Sequence, residues 1–252
     1  MPRENNLMLH GLDISNHQSP SVVPWDDLAE RKSFLYVRAT YGTTKDRRVT
    51  EHFARAKEKG ISAGLYHFFR ANQAVTDQLG VFSEIAELVG YGPGDLAPAL
   101  DIEADVNHPV EPFWSTPAQE LAKLLVAEWS ECLVYLTQRE WSMLGKPKWT
   151  KDRPLWVAHY TARPEPAVPT DHSWSIWQYR VGPYDPNSEN RRTDARDPQA
   201  LDHNMAIYLP LITTGLEPET LRSRLAVSAP LELSDEDWLT LRRERDETVR
   251  DV

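Results

Sequence analysis

Eight runs of strand length, interleaved along the first half of the chain with stretches of helical periodicity, constrain this sequence more than any other feature. The runs lie at 9–15, 34–40, 63–69, 96–103, 133–137, 155–160, 175–179 and 201–206, with helical patterns at 25–31, 50–59, 74–89 and 117–130. Strand and helix in alternation imply parallel strands joined by crossover helices. Eight strands in 252 residues match the length at which one α/β barrel closes as a single domain. Gly60, following Lys57 and Lys59, marks the expected end of the second helix. The pattern changes late in the chain, where 162–171 carries three prolines and 181–199 is polar, with Pro183, Pro186 and Pro198. These segments read as loops, so the expected fold is α/β, an irregular TIM-like barrel over 1–214 that lacks its late helices. A short C-terminal helical extension is expected over 215–252. Ser234 stands there as an N-cap before Asp235, Glu236 and Asp237, in a piece too short for an independent domain.

Composition removes several function classes. With 38 Asp and Glu against 28 Lys and Arg the formal charge is −10, so the phosphate-neutralising surface that nucleic acid requires is missing. Arg191, Arg192 and Arg196 alternate with Asp194 and Asp197 and read as a solvated loop. The single cysteine, Cys132, sits in an apolar run that reads as a buried strand; it excludes an internal disulfide and reads as a small core residue. No window approaches the ~20 apolar residues of a membrane span. Residues 1–9 are too polar for the apolar core of a signal peptide. The expectation is a soluble monomer without membrane insertion, released by another route if it acts outside the cell.

Chemistry concentrates in Leu96-Ala97-Pro98-Ala99-Leu100-Asp101-Ile102-Glu103. In a strand, Ala97, Ala99, Asp101 and Glu103 share one face, and Leu96, Leu100 and Ile102 the other. Two carboxylates at the carboxyl end of a barrel strand occupy the place where barrel enzymes carry their active sites. Crowded carboxylates in a desolvated cleft cannot both ionise cheaply, so one pKa should rise, as a general acid needs. Their spacing of about 6.6 Å along the strand lies near both the retaining and inverting ranges of glycosidases and does not choose between them. Asp13, with Ser15, repeats the design on the first strand and Asp202 on the last, and in a closed barrel these strands are neighbours. Tyr66, Tyr135, Trp156, Tyr160 and Trp177 fall at or near strand ends, as rings that pack on sugar faces would. His67 and His159 are expected to face the helices as buried imidazoles.

In order and spacing the chain resembles the glycoside hydrolase family 25 muramidases, the Chalaropsis-type lysozymes. The matching pieces are Gly11-Leu12-Asp13-Ile14-Ser15 with His17-Gln18, Val37-Arg38-Ala39-Thr40 with Gly42, and Gly64-Leu65-Tyr66-His67-Phe68. They continue with Leu100-Asp101-Ile102-Glu103, Pro154-Leu155-Trp156-Val157-Ala158-His159-Tyr160, Trp177-Gln178-Tyr179 and Asp202-His203-Asn204. The resemblance implies a flattened (β/α)5(β)3 barrel that cuts the β-1,4 bond between N-acetylmuramic acid and N-acetylglucosamine in peptidoglycan glycan strands. It also implies Glu103 as general acid and base, and Asp101 as the group that orients the 2-acetamido substituent in substrate-assisted, retaining catalysis, although a direct nucleophile role has been considered for this family. Asp13 and Asp202 would support the site, and Tyr66 and Tyr160 match family positions.

Arg38 and Tyr41 depart from the family's Lys-Ala-Thr-Glu-Gly pattern, and His203 stands where an apolar residue is usual. No cell-wall-binding repeat is recognisable. An endolysin or a bacterial wall-remodelling enzyme is the expected role. A non-catalytic glycan-binding protein using the same groove is the alternative. A metal-dependent hydrolase built on Asp101, Glu103, Asp105 and His108 would need a zinc spacing or a calcium-loop glycine that the sequence lacks, so neither metal nor cofactor is expected.

Overall fold

A computed structural model describes residues 9–105, 107–184 and 200–212. The expected extension at 215–252 and the arginine-containing loop around Arg191, Arg192 and Arg196 lie outside the described residues. In chain order the elements are β1 (Leu9–Ile14), α1 (Trp25–Glu30), β2 (Phe34–Tyr41), β3 (Thr44–Lys45), α2 (Val49–Glu58) and β4 (Ser62–Phe68). Then follow α3 (Val75–Val89), β5 (Leu96–Asp101), α4 (Ser115–Trp129), β6 (Leu133–Leu136), α5 (Gln138–Met143), β7 (Leu155–Ala158), β8 (Trp174–Gly182) and β9 (Leu201–Ala206).

Eight of the nine strands close into a barrel in the order β1-β9-β8-β7-β6-β5-β4-β2, with β2 returning to β1; β3 extends β2 as a short hairpin. The eight expected strands all form, and between β7 and β8 the expected loop replaces a helix. Strands β1 to β8 of the barrel run parallel, whereas β9 is antiparallel to both neighbours. That reversal brings the beginning of β9 to the rim where the parallel strands end. Asp13 and Asp202 are therefore directly paired.

Helix faces follow the 3.6-residue period. Val49, Phe53 and Ala56 of α2, Leu79, Phe82 and Ala86 of α3, and Leu121, Leu125 and Trp129 of α4 bury against the outward residues of the strands. Gly60 ends α2 in the left-handed region, as expected. A second cluster fills the barrel: Phe34, Tyr36, Tyr66, Leu96, Ala97, Ala99, Leu133, Tyr135, Trp156, Ala158, Ile176 and Ala206. Gly64 makes room for this packing, because a Cβ there would lie 2.5 Å from the ring of Tyr36.

Leu96 corrects the simple alternation. It packs inside the barrel and not toward the helices, because between Gly64↔Leu96 and Tyr66↔Ala99 the β5 strand advances three residues against two on β4. The irregularity turns Leu96 inward while Ala97, Ala99 and Asp101 keep the interior face. Cys132 is buried just before β6 as expected, and burial pushes its thiol up to about 12.

Candidate active site

A cleft of about 600 Å3 opens at the rim where the parallel strands end, a volume typical of ligand sites. Asp13, Asp101, Glu103 and Asp202 all line it, as do Tyr66, Tyr135, Trp156 and Tyr160. Asp101 is the last residue of β5, paired with Phe68 and Tyr135 on either side. The strand ends there and not at Glu103, but one further ladder bond, from Ile102 N–H to the Tyr135 carbonyl (3.1 Å), carries the alternation onward. Ile102 is thereby sealed in the outer core, and Glu103 joins the cleft.

Asp13 is the centre of a converging network of neutral donors. Gln178 Nε2 donates to its Oδ2 at 2.9 Å and Asn204 Nδ2 to the same oxygen at 2.7 Å. Behind them, the Tyr135 and Tyr160 hydroxyls donate to Gln178 Oε1 at 3.0 and 2.6 Å, and the Trp156 indole N–H donates to Asn204 Oδ1 at 2.9 Å. Each amide thus has its carbonyl loaded by a donor and its N–H₂ aimed at the carboxylate, which fixes both amide orientations and polarises the chain of bonds toward Asp13.

The aromatics have different places within this arrangement. Trp156 is almost fully buried and forms the floor, with ring contacts to Tyr36, Tyr66 and Tyr135. Tyr160 is 47% exposed and stands at the rim. Trp177 does not reach the cleft: it is fully buried in the outer core between Trp174 and Tyr179, and its N–H donates to the His159 carbonyl. The strand period explains the correction, since Ile176 and Gln178 face inward and Trp177 must face out.

Gln178 and Asn204 were signalled by that same alternation, two residues after Ile176 and Asp202, but their polarity is informative only once the interior is known to be polar at this rim. Of the two histidines expected to face helices, His67 does so, between Thr40 Oγ1 (2.6 Å) and Gln78 Oε1 of α3 (3.0 Å), and burial lowers it to about 4. His159 instead accepts the Ala167 N–H within the following loop.

The electrostatics are dominated by burial. Desolvation raises Glu103 to about 7, helped by the charges of Glu140 and Asp13 and opposed by Arg38. Asp101 is held well above the ordinary carboxyl range by burial and then by Glu103 and Asp13, and its Oδ1 has no hydrogen-bond partner. Burial lifts Asp202 strongly, with Asp13 and Glu103 adding to it. Asp13 rises to about 6 through burial, against the hydrogen bonds from Asn204 and Gln178. All four carboxyls therefore hold a proton more readily than an ordinary carboxyl does.

The two departures at β2 build networks of their own. Arg38 Nε pairs with Asp46 Oδ2 at 3.0 Å, and Arg38 also donates to Asn16 Oδ1. Tyr41 donates to Asp105, which Arg70 also engages. Asp105 and His108, considered as metal ligands with Asp101 and Glu103, face Arg70 instead. Burial raises Asp105, but hydrogen bonds from Tyr41, the Asn107 N–H and His108 and the charge of Arg70 outweigh it, holding the carboxylate far below its ordinary range. At the other departure, His203 is buried with its ring 6.0 Å from that of Tyr184, stacked at 18°.

Residues 12–186 match the sequence profile described as glycosyl hydrolases family 25. Lysozyme M1 of Streptomyces globisporus is 28% identical over 191 residues, covering 69% of this chain and 64% of that protein. The chain thus spans less than two thirds of that relative's length. Among solved structures, the bacterial lysozyme from Streptomyces coelicolor superposes with a TM-score of 0.61 at 25% identity, covering 78% of this chain and 90% of that one. A family GH25 lysozyme from Aspergillus fumigatus gives 0.63 at 23% identity, covering 87% and 99%; at that identity the likeness speaks to the fold. Among the described residues no helix is long and apolar enough to cross a membrane.

Proposed function

The chain belongs to glycoside hydrolase family 25, and on that premise we propose that it is a retaining N-acetylmuramidase. It would cleave the β-1,4 bond between N-acetylmuramic acid and N-acetylglucosamine in peptidoglycan, acting as a monomer in which residues 1–214 form one catalytic unit. The observation that carries this reading is the gathering of four carboxyls, two buried and two half-buried, from the ends of three strands in one cleft, with Glu103 raised to about 7. Such a carboxyl is still substantially protonated at neutral pH and gives up its proton readily once the leaving oxygen gains charge.

In this mechanism the carbonyl oxygen of the substrate's 2-acetamido group attacks C1 while Glu103 protonates the departing glycosidic oxygen. The resulting oxazolinium is then opened by water at C1, with Glu103 taking the water's proton, so configuration is retained. Asp101 would accept the acetamido N–H through its unpartnered oxygen. Its negative charge, costly in the free cleft, becomes favourable as positive charge develops beside it, which is differential stabilisation of the transition state. Asp13 and Asp202 support the field, and Tyr66, Tyr135, Trp156 and Tyr160 supply the walls and floor for the sugar rings.

Digestion of purified peptidoglycan, borohydride reduction and mass spectrometry of the soluble fragments test the proposal. Reduced muramic ends should appear with the wild type and vanish with Glu103→Gln. Release of reduced glucosamine ends, or of none from several wall types, would refute it, the latter in favour of glycan binding alone.

A further inference from the structure

Between the last ladder bond of β5, at Ile102, and the next fixed side chain, at Asp105, only Glu103 and Ala104 intervene. How firmly Asp105 is held therefore decides how firmly Glu103 is aimed. The holder is Arg70, two residues past β4 and itself only 8% exposed. Its backbone is fixed from both sides by the buried amide of Gln78, which accepts the Arg70 N–H at 2.9 Å and donates to the Arg70 carbonyl at 2.8 Å. Its Nη1 bonds to both Asp105 Oδ2 and the Tyr41 hydroxyl, while Nη2 lies 2.8 Å from His108 Nδ1. The guanidinium carbon sits 4.8 Å from the centroid of the Tyr41 ring, and that ring stacks on Phe68. A planar fork with an aromatic face beneath it uses properties that lysine lacks.

We propose that Arg70 is a positioning residue for the reaction: by anchoring Asp105 it holds Glu103 in the cleft, and so governs turnover more than affinity. The inference rests on the reading of Glu103 as the general acid. Arg70 does not line the cleft, so its loss should leave most sugar contacts in place while letting the segment after β5 move. Misplacement of a reacting group by about 1 Å can cost on the order of a hundredfold in rate. A looser segment also admits water to Glu103, which lowers its pKa toward the ordinary carboxyl value.

Steady-state kinetics on soluble glycan strands freed of peptide, with the purified full chain, provide the test. Arg70→Met should lower kcat by about tenfold or more with KM changed less than about twofold, and should move the alkaline limb of the pH profile to lower pH. Arg70→Lys, which keeps the charge without the fork, should recover only part of the loss. Should Arg70→Met fold poorly, Tyr41→Phe removes one bond to Asp105 while keeping the ring, and should shift kcat and the limb in the same directions. Wild-type kcat in Arg70→Met, or a loss residing in KM with the limb unmoved, would overturn the proposal. Carbon-13 NMR titration of the Glu103 carboxyl, assigned with Glu103→Gln, separates this inference from the enzymatic reading. A midpoint unchanged by Arg70→Met defeats the anchoring even if no glycan is cleaved, and a midpoint lowered by Arg70→Met while the wild type cleaves no glycan leaves the anchoring intact and defeats the muramidase.

Discussion

Replacing Glu103 with Gln should make the folded chain more stable at pH 8 while abolishing turnover. Burial and the neighbouring acids lift this carboxyl from an ordinary 4.5 to about 7. Because the folded-state value is raised, the folded state binds the proton more tightly than the unfolded chain. That contribution is fully present below about pH 4.5 and is lost as pH rises through 7. At about 1.4 kcal/mol per pH unit the gap amounts to ~3 kcal/mol above pH 7, or ~2 kcal/mol once the solvent that reaches this partly exposed side chain is allowed for. Neutral Gln never acquires the charge, and removing it also relieves Asp101 and Asp202, whose values it raises. Urea unfolding of wild type and Glu103→Gln at pH 4 and pH 8 measures the difference. Near-equal stability is expected at pH 4 and an advantage of ~2 kcal/mol for the variant at pH 8, or about 4–8 °C in Tm. An advantage of equal size at both pH values, or a variant less stable than wild type at pH 8, would refute the reasoning that an ionised Glu103 is a burden on the fold.

Gln178→Leu removes one of the two side-chain donors to Asp13 and strands the buried Tyr135 hydroxyl. It should cost ~3 kcal/mol at pH 8 and less at pH 4.5, where Asp13, raised to about 6, is neutral; equal costs at the two pH values in chemical denaturation would count against this network. Trp177→Ala should cost ~3–5 kcal/mol through the cavity it leaves in the outer core, with KM for glycan little changed, whereas Tyr160→Ala at the exposed rim should raise KM with little loss of stability. Cys132, fully buried with its thiol pushed up to about 12, should resist alkylation at pH 8 until the chain is unfolded; mass spectrometry after iodoacetamide treatment reads this directly.

The barrel was legible because its strands are apolar runs and its early helices carry clear periodicity, and every expected strand overlaps an observed one. What escaped depends on tertiary pairing. Leu96 faces the barrel interior through a register irregularity against β4 that no pattern within β5 announces. The antiparallel sense of β9 follows from its neighbours and not from its own residues. Helix α5 did have a local signal, since Thr137 and Glu140 form a reciprocal capping box with bonds of 2.9 and 3.2 Å, but the apolar run of β6 ends on that same threonine. In the site, carboxyls were legible as acids at strand ends, and Trp177 was misread because an aromatic suits either face. The amides Gln178 and Asn204 are the converse case, polar residues whose inward position only the closed barrel explains.

The contrast between carboxylates inside and outside the cleft shows how the fold holds an acid ready. Asp46, Asp95 and Asp105 are also largely shielded, and each is met by a cation: Arg38, Lys57 and Arg70. Asp13, Asp101, Glu103 and Asp202 form no ion pair among the described residues, although Arg38 lines the same cleft. Its Nε is committed to Asp46 and its Nη2 to Asn16, so its charge reaches Asp101 and Glu103 only as a weak opposing influence. A salt bridge to any of the four would lower its pKa and discard the proton that general-acid chemistry requires. Neutral donors, by contrast, orient Asp13 without stripping the cluster of its protons. Binding Arg38 to Asp46 thus limits its opposing influence on Glu103, and Asp46→Asn, which releases that guanidinium toward the cleft, should shift the alkaline limb of the pH profile downward. An unmoved limb in Asp46→Asn would mean that burial alone sets the acidity of Glu103.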